Sequence, residues 1–271
     1  MRHPAAGGGY PRSEQVLPVT ERSLQSTSAP GRTRARVVCA EQLDSLPSDD
    51  PRARRSRADL RRIHRAMGSV SILARAIARL QLRTPPRRIL ELGSGDGTLL
   101  LRLLGSLRRN WPGGEVTLLD RQDLVSSVTR ARLLAIGWTA QFLHADAIEW
   151  ARSPDRRHYD LCLAALFLHH FQQPVLTELL GAIAASAEAF IACEPQRSAS
   201  GRVGSRLVAL LGANDVTRHD AVKSVAAGFA DHELTALWPA SRGQWRIEER
   251  FAAPFTHCFT ARRSLAPVRH S

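Results

Sequence analysis

The stretch that most constrains the fold is Arg88-Ile89-Leu90-Glu91-Leu92-Gly93-Ser94-Gly95-Asp96-Gly97-Thr98-Leu99-Leu100. Its run over 89–92 is short and mostly apolar, the pattern of a buried parallel strand. Three glycines interrupt it, and Leu99, Leu100, Leu103 and Leu104 then recur at helical spacing. A strand that breaks on glycine and feeds a helix leaves the first helical N–H groups unpaired, where a polar ligand can approach. A side chain at these glycines would block the approach or forbid the dihedrals of the bend.

The spacing narrows the ligand. A dinucleotide loop needs Gly-x-Gly-x-x-Gly, whereas here the third glycine falls one residue early, as Gly93-x-Gly95-x-Gly97. No Gly-Lys-Ser/Thr follows, which excludes a P-loop. Glu91, two residues before the first glycine, suits a cationic or hydroxyl-rich ligand better than a pyrophosphate. The pattern Glu91-x-Gly93-x-Gly95-x-Gly97 resembles the nucleotide-binding loop of class I S-adenosylmethionine (SAM) methyltransferases. The resemblance implies an α/β, Rossmann-like, doubly wound sheet of seven strands, with Glu91, Gly93, Ser94, Gly95, Asp96 and Gly97 at the SAM site.

Later segments fall in step. Residues 115–119 read as a second strand closed by Asp120, where an acid in such folds accepts from ribose hydroxyls; capping a helix from 124 is the competing role. Arg121 joins the same site. Residues 140–143 read as strand three, and the Asp146-Ala147 that follows resembles the family's adenine-binding element. Asp146 as a helix N-cap is the alternative. Residues 159–171 read as strand four running into a loop. They resemble the Leu-His-His-Phe element of methyltransferases similar to those of ubiquinone and menaquinone biosynthesis. That places Ala164 at the cofactor and His169 and His170 at the site mouth, against a structural role for the pair.

Around this frame, apolar positions from Leu60 to Leu80 recur at helical spacing over 59–82 and predict one helix, or two broken near Gly68-Ser69. In the resembling family such a segment, here 58–84, often caps the acceptor pocket; plain packing against the sheet is the competing role. Residues 85–262 form the expected methyltransferase domain, closed by an antiparallel hairpin over 245–251 and 256–261. Within it, 196–243 reads as a helical insertion and candidate substrate lid. Its polar run 214–220 resembles an element of bacterial methyltransferases of phenolic or polyketide-derived rings, which nominates Asn214 and His219 beside His170 for the substrate. Asp220 is expected to cap a helix from 221. Residues 1–57, rich in Gly, Pro, Ser and Arg, are expected to be a disordered basic tail, and 263–271 a frayed one.

The chemistry asks little of side chains. Transfer from a sulfonium is an in-line displacement, for which orientation supplies about 7–11 kcal/mol and a general base about 10²–10⁴-fold. No metal is required. A phenolic acceptor, with a pKa near 10, must still lose its proton, and a histidine suits that task. The candidates, in order, are His169, His170, His219 and His257.

The net charge of +13 is carried by arginine, since Lys223 is the only lysine. Through residue 65 there are 13 Arg against 7 acids, so about half the excess sits in the first quarter of the chain. A diffuse excess is usually a solvated surface, and nucleic acid is not the expected partner. An RNA or protein methyltransferase is the rival reading, weakened by Ala164-Ala165-Leu166-Phe167 where amino-group methylators carry Asn/Asp-Pro-Pro-Tyr/Phe. A non-catalytic SAM-binding module is a second rival. Four scattered cysteines indicate neither zinc site nor disulfide framework. With no membrane-length apolar run and no secretory signal, a cytoplasmic enzyme acting on a small molecule is the expectation.

Overall fold

The computed structural model describes residues 35–239 and 244–264. The expected tails fall outside these for 1–34 and 265–271. The remainder of the first one departs from expectation: 35–57 is ordered. It holds an extended stretch, a short helix α1 (Gln42–Ser45) and the start of α2 (Pro51–Ala66). Composition missed α2's beginning because its signal is local. Asp50 caps it by accepting from Arg52 N, and Pro51 occupies the first turn, where no N–H is needed. The amphipathic segment is two helices, α2 and α3 (Ser69–Leu80), parted at Gly68.

The sheet is built from β1 (Arg88–Leu92), β2 (Gly114–Asp120), β3 (Trp138–His144), β4 (Leu161–Ala165), β5 (Ala189–Pro195), β6 (Trp245–Ala252) and β7 (Thr256–Arg263). Its order is β3-β2-β1-β4-β5-β7-β6, with β7 antiparallel to both neighbours. Between strands run α4 (Thr98–Leu107), α5 (Ser127–Ala135), α6 (Ala147–Arg152) and α7 (Gln173–Ser186). Then come α8 (Ala199–Leu207), α9 (Asp215–Ala227) and α10 (Glu233–Leu237). Alternation along β1 sends Leu90 and Leu92 to one core and Ile89 to the other. The first core is completed by α7, Phe190, Trp238 and Phe259, the second by α3, α4, Val116 and Leu118. Helices therefore cover both faces, as a parallel sheet requires. β1 and β4 are neighbours, so the chain reverses direction across the sheet between them and opens a crevice at their carboxyl ends.

The insertion before β6 holds α8, a 3₁₀ turn Val208–Leu211, α9 and α10. Here Asn214 N-caps α9 by accepting from Thr217 N, so the helix starts at 215 and not at 221. Asp220 lies inside it and caps α1 instead, taking the N–H groups of Gln42 and Leu43 at 2.8 and 2.9 Å. Buried Asp59 of α2 accepts from Asn214 N and Thr217 Oγ1, tying the N-terminal helices to the insertion.

Candidate active site

A cavity of about 750 Å³ opens at the β1/β4 crevice, within the range that encloses a small molecule. Its floor is the glycine loop, and its walls come from α1, α2, the ends of β2 and β4, α8 and α9.

The loop owes its shape to Gly93 and Gly97. Gly93 has φ +64, and a Cβ there would stand 2.2 Å from Cδ2 of Phe167, so only glycine lets the loop pass the ring two residues beyond β4. Gly97, φ +70, faces Leu118 and Thr129 behind the loop. It serves the helix–sheet contact and lies off the cavity wall, unlike Gly93, Ser94, Gly95 and Asp96. Asp96 holds the bend by accepting from Thr98 N and Oγ1, while its other oxygen takes Arg61 Nη1 at 2.8 Å. Asp120 accepts from Gly95 N at 2.9 Å and Gln122 N at 3.0 Å; α5 is capped by Ser126 instead.

Two polar atoms of the loop region are buried without a partner, Glu91 Oε2 and Ser94 Oγ. Burial raises the Glu91 carboxyl well above its ordinary pKa, with Asp96 and Asp120 adding to the rise. An unpaired carboxyl buried against a cavity is a place for a ligand's donor or cation. The residues thus fit a group that presents an ammonium and hydroxyls. Asp146 N-caps α6 through Ile148 N at 2.7 Å and still lines the cavity with Ala147 and Arg121. Ala164 points into the core between the strands. The wall after β4 is Ala165, Leu166 and Phe167, one step further along the chain, where the strand ends and Leu166 turns to φ +52.

The histidine pair lies on a 3₁₀ turn (Leu168–His170) that Glu194, at the end of β5, holds in place. Its carboxylate accepts from Phe167 N at 3.0 Å, Leu168 N at 2.9 Å and His169 Nδ1 at 2.7 Å. On the other side His169 Nε2 is 3.4 Å from Glu41 Oε1, an ion-pair distance off the line of a hydrogen bond. Burial disfavours the charged ring, but Glu194 and Glu41 overrule it and raise its pKa to about 9. The same pairing outweighs burial in Glu194 and Glu41 and holds both carboxyls below their ordinary range. His169 is therefore an imidazolium at neutral pH, with no lone pair to offer, and the leading candidate base is displaced from that role. Glu41, His169 and His170 offer donor atoms within 4.8 Å of one another, but the cation among them is the ring's own proton.

His170 differs. Its Nδ1 lies 3.2 Å from Asp44 Oδ2, and among the described residues no partner engages Nε2. Burial opposes ionisation of Asp44, but its pairing with His170 outweighs it and lowers the Asp44 pKa. Like His169 and Glu41, the pair stands at an ion-pair distance off the line of a hydrogen bond; a carboxylate beside Nδ1 favours the tautomer with its proton there and Nε2 as the acceptor. The other nominated residues point elsewhere. His219 is half exposed beside Asp220 and off the cavity, because α9 turns residues 217, 220, 221 and 224 inward. Asn214 is spent on capping. His257 is buried in β7 between Glu249 and Gln196.

Sequence reasoning missed Arg57, Arg61 and His64, which α2 presents to the cavity at i, i+4, i+7. Their stripe was legible, but arginine on an amphipathic helix reads as a solvated face. Burial holds His64 down to about 4 against the pull of Asp96, so its ring is neutral. Glu41 and Asp44 were hidden by the composition of their segment, and Glu194 by having no motif.

Comparison with known proteins supplies a domain match and a fold. Residues 89–188 match a methyltransferase domain model. No curated protein matches the chain. Among solved structures, the plantazolicin methyltransferase BpumL in complex with SAH is similar at 14% identity and TM-score 0.58, over 80% of this chain and 92% of that one. An O-methyltransferase family protein from Burkholderia thailandensis follows at 19% and 0.56, over 85% and 65%. The pyocyanin biosynthetic protein PhzM stands at 22% and 0.52, over 83% and 62%. These likenesses carry the fold, and the domain match falls on the strands and the glycine loop that build the cavity. Residues 89–188 thus match a methyltransferase domain, set in a fold that the chain shares with the SAH-bound methyltransferase BpumL.

Proposed function

We propose that the chain methylates a small hydroxylated aromatic acceptor, with His170 as the general base. The observation that carries this reading is the Asp44–His170 pair on the wall of a cavity whose floor is the cofactor loop. SAM supplies a methyl group already activated on a sulfonium. The loop and Asp120 hold the cofactor's aminoacyl and ribose parts, Glu91 takes its ammonium, and Arg61 stands beside the loop as the counter-charge for its carboxylate. Asp146 and Ala147 bound the adenine end.

On the acceptor side, Asp44 keeps the Nδ1 proton of His170 in place, and Nε2 receives the proton that a phenol must give up. A base is needed whether oxygen or a ring carbon is the nucleophile. His169, charged and clamped, orients its neighbour and does not exchange protons. α1, α8 and α9 close the cavity from above, which supports a small acceptor over an RNA or a folded protein. The likeness to the plantazolicin methyltransferase and to the pyocyanin biosynthetic protein supports the same reading.

The test is a labelled-methyl screen over phenols, quinols and tRNA, followed by kinetics on the accepted compound. His170→Ala is expected to lower kcat about 10²–10⁴-fold and leave the affinity for S-adenosylhomocysteine unchanged, with Asp44→Asn intermediate. Unchanged kcat in both variants, or labelling of tRNA alone, overturns the assignment.

A further inference from the structure

The reaction makes no use of the outer face of α8. Gly201, Ser205 and Val208 line the cavity. Val203, Leu207 and Leu210 each stand two residues further on, which turns the first two about 200° away on an α-helix. There they are 55%, 48% and 81% exposed, and Leu211 adds 41%. Single exposed leucines need no explanation, but four large apolar side chains within nine residues, on the outside of a cavity wall, form a patch. Arg202 and Arg206 flank it, both exposed, and no Asp or Glu occurs from 196 to 214.

We propose that this face docks on an anionic lipid surface. The side chains suit that occupant. Guanidinium forks pair with lipid phosphates, and leucine and valine enter the boundary between headgroups and acyl chains. The chain's net charge of +13 draws it toward such a surface. A second copy of the chain suits it less, because a two-fold interface on this face would bring two cationic segments together, neither with an Asp or Glu from 196 to 214. Among the described residues no helix is long and apolar enough to cross a membrane, so the contact is interfacial. One helix thickness, about 10 Å, then separates the bilayer surface from the acceptor cavity.

The full chain is tested by flotation with vesicles of phosphatidylcholine alone, or with a quarter of phosphatidylglycerol, at near-physiological salt. Binding to the anionic vesicles is expected to exceed binding to the neutral ones by about tenfold. Arg202→Ala/Arg206→Ala should remove about that factor, and Leu207→Glu/Leu210→Glu should abolish binding to both. S-adenosylhomocysteine affinity reports that each variant is folded; if the leucine variant fails that control, the arginine variant decides. No flotation of the wild type, or flotation of folded variants equal to wild type, overturns the proposal. So does a wild-type dimer that the leucine variant dissociates without any vesicle binding. No turnover enters the readout, so failure here leaves the methyl-transfer assignment where it stands.

Discussion

The charge on His169 has a measurable price in pH. The free imidazole titrates near 6.5, and between Glu194 and Glu41 the ring holds its proton to about 9. That interval corresponds to about 3 kcal/mol of stability contributed by the protonated ring. Because the folded value lies above the unfolded one, the contribution is complete below pH 6.5 and is lost as pH rises through 9. Glu194 and Glu41 act in the opposite sense: their folded pKa values are depressed, so their contribution is present above about 4.5 and is lost as pH falls. Urea unfolding from pH 6 to 9.5, on the wild type and on His169→Gln/Glu41→Gln, isolates the ring from other titrating groups. The difference between the two proteins should change by about 3 kcal/mol across that window. Ring nitrogen shifts should show His169 titrating near 9. A flat difference, or a ring that titrates near 6.5, refutes the buried imidazolium and returns His169 to the list of bases.

Three further outcomes follow from the cavity. Gly93→Ala meets Phe167 at a left-handed φ and should abolish S-adenosylhomocysteine binding; Gly95→Ala meets no atom within 4 Å and should cost about 1 kcal/mol of stability from its φ of +53 alone. Calorimetry and thermal melts separate the two. Asp120→Ala removes the acceptor for Gly95 N and the proposed ribose ligand together, and should weaken S-adenosylhomocysteine by about tenfold or more. His219→Ala, off the cavity, should leave kcat and KM within twofold of wild type, a prediction that steady-state kinetics checks.

The glycine loop was legible because it is contiguous: strand, bend and helix are neighbours in sequence, so spacing alone fixes their geometry. Asp120 was legible because it ends β2, and Asp146 because it follows β3 by two residues. The histidines were only half legible. Their position followed from β4, but their protonation depends on Glu194 and Glu41, which are 25 and 128 residues from His169 in sequence and meet it only through the fold. Asn214 and His219 failed for a related reason. A polar run carries no record of which residues turn inward once it winds into a helix, and the true inward set from α9 includes small and apolar residues. The ordered stretch over 36–44 was missed because its contacts are mostly long-range, with Asp220, Ser224 and His169 among them.

That last segment has a consequence for how the acceptor comes and goes. Val37 N donates to Ala226 O, Lys223 Nζ to Ala40 O, Ser224 Oγ to Glu41, and Gln42 and Leu43 to Asp220. The roof over the two histidines is thus stitched along one helix, and Asp44, the residue beside the proposed base, travels with it. A chamber that opened by peeling this roof would part Asp44 from the proposed base on the same stroke and restore the pair only on reclosing, so under that proposal a half-shut enzyme would hold its cofactor and remain idle.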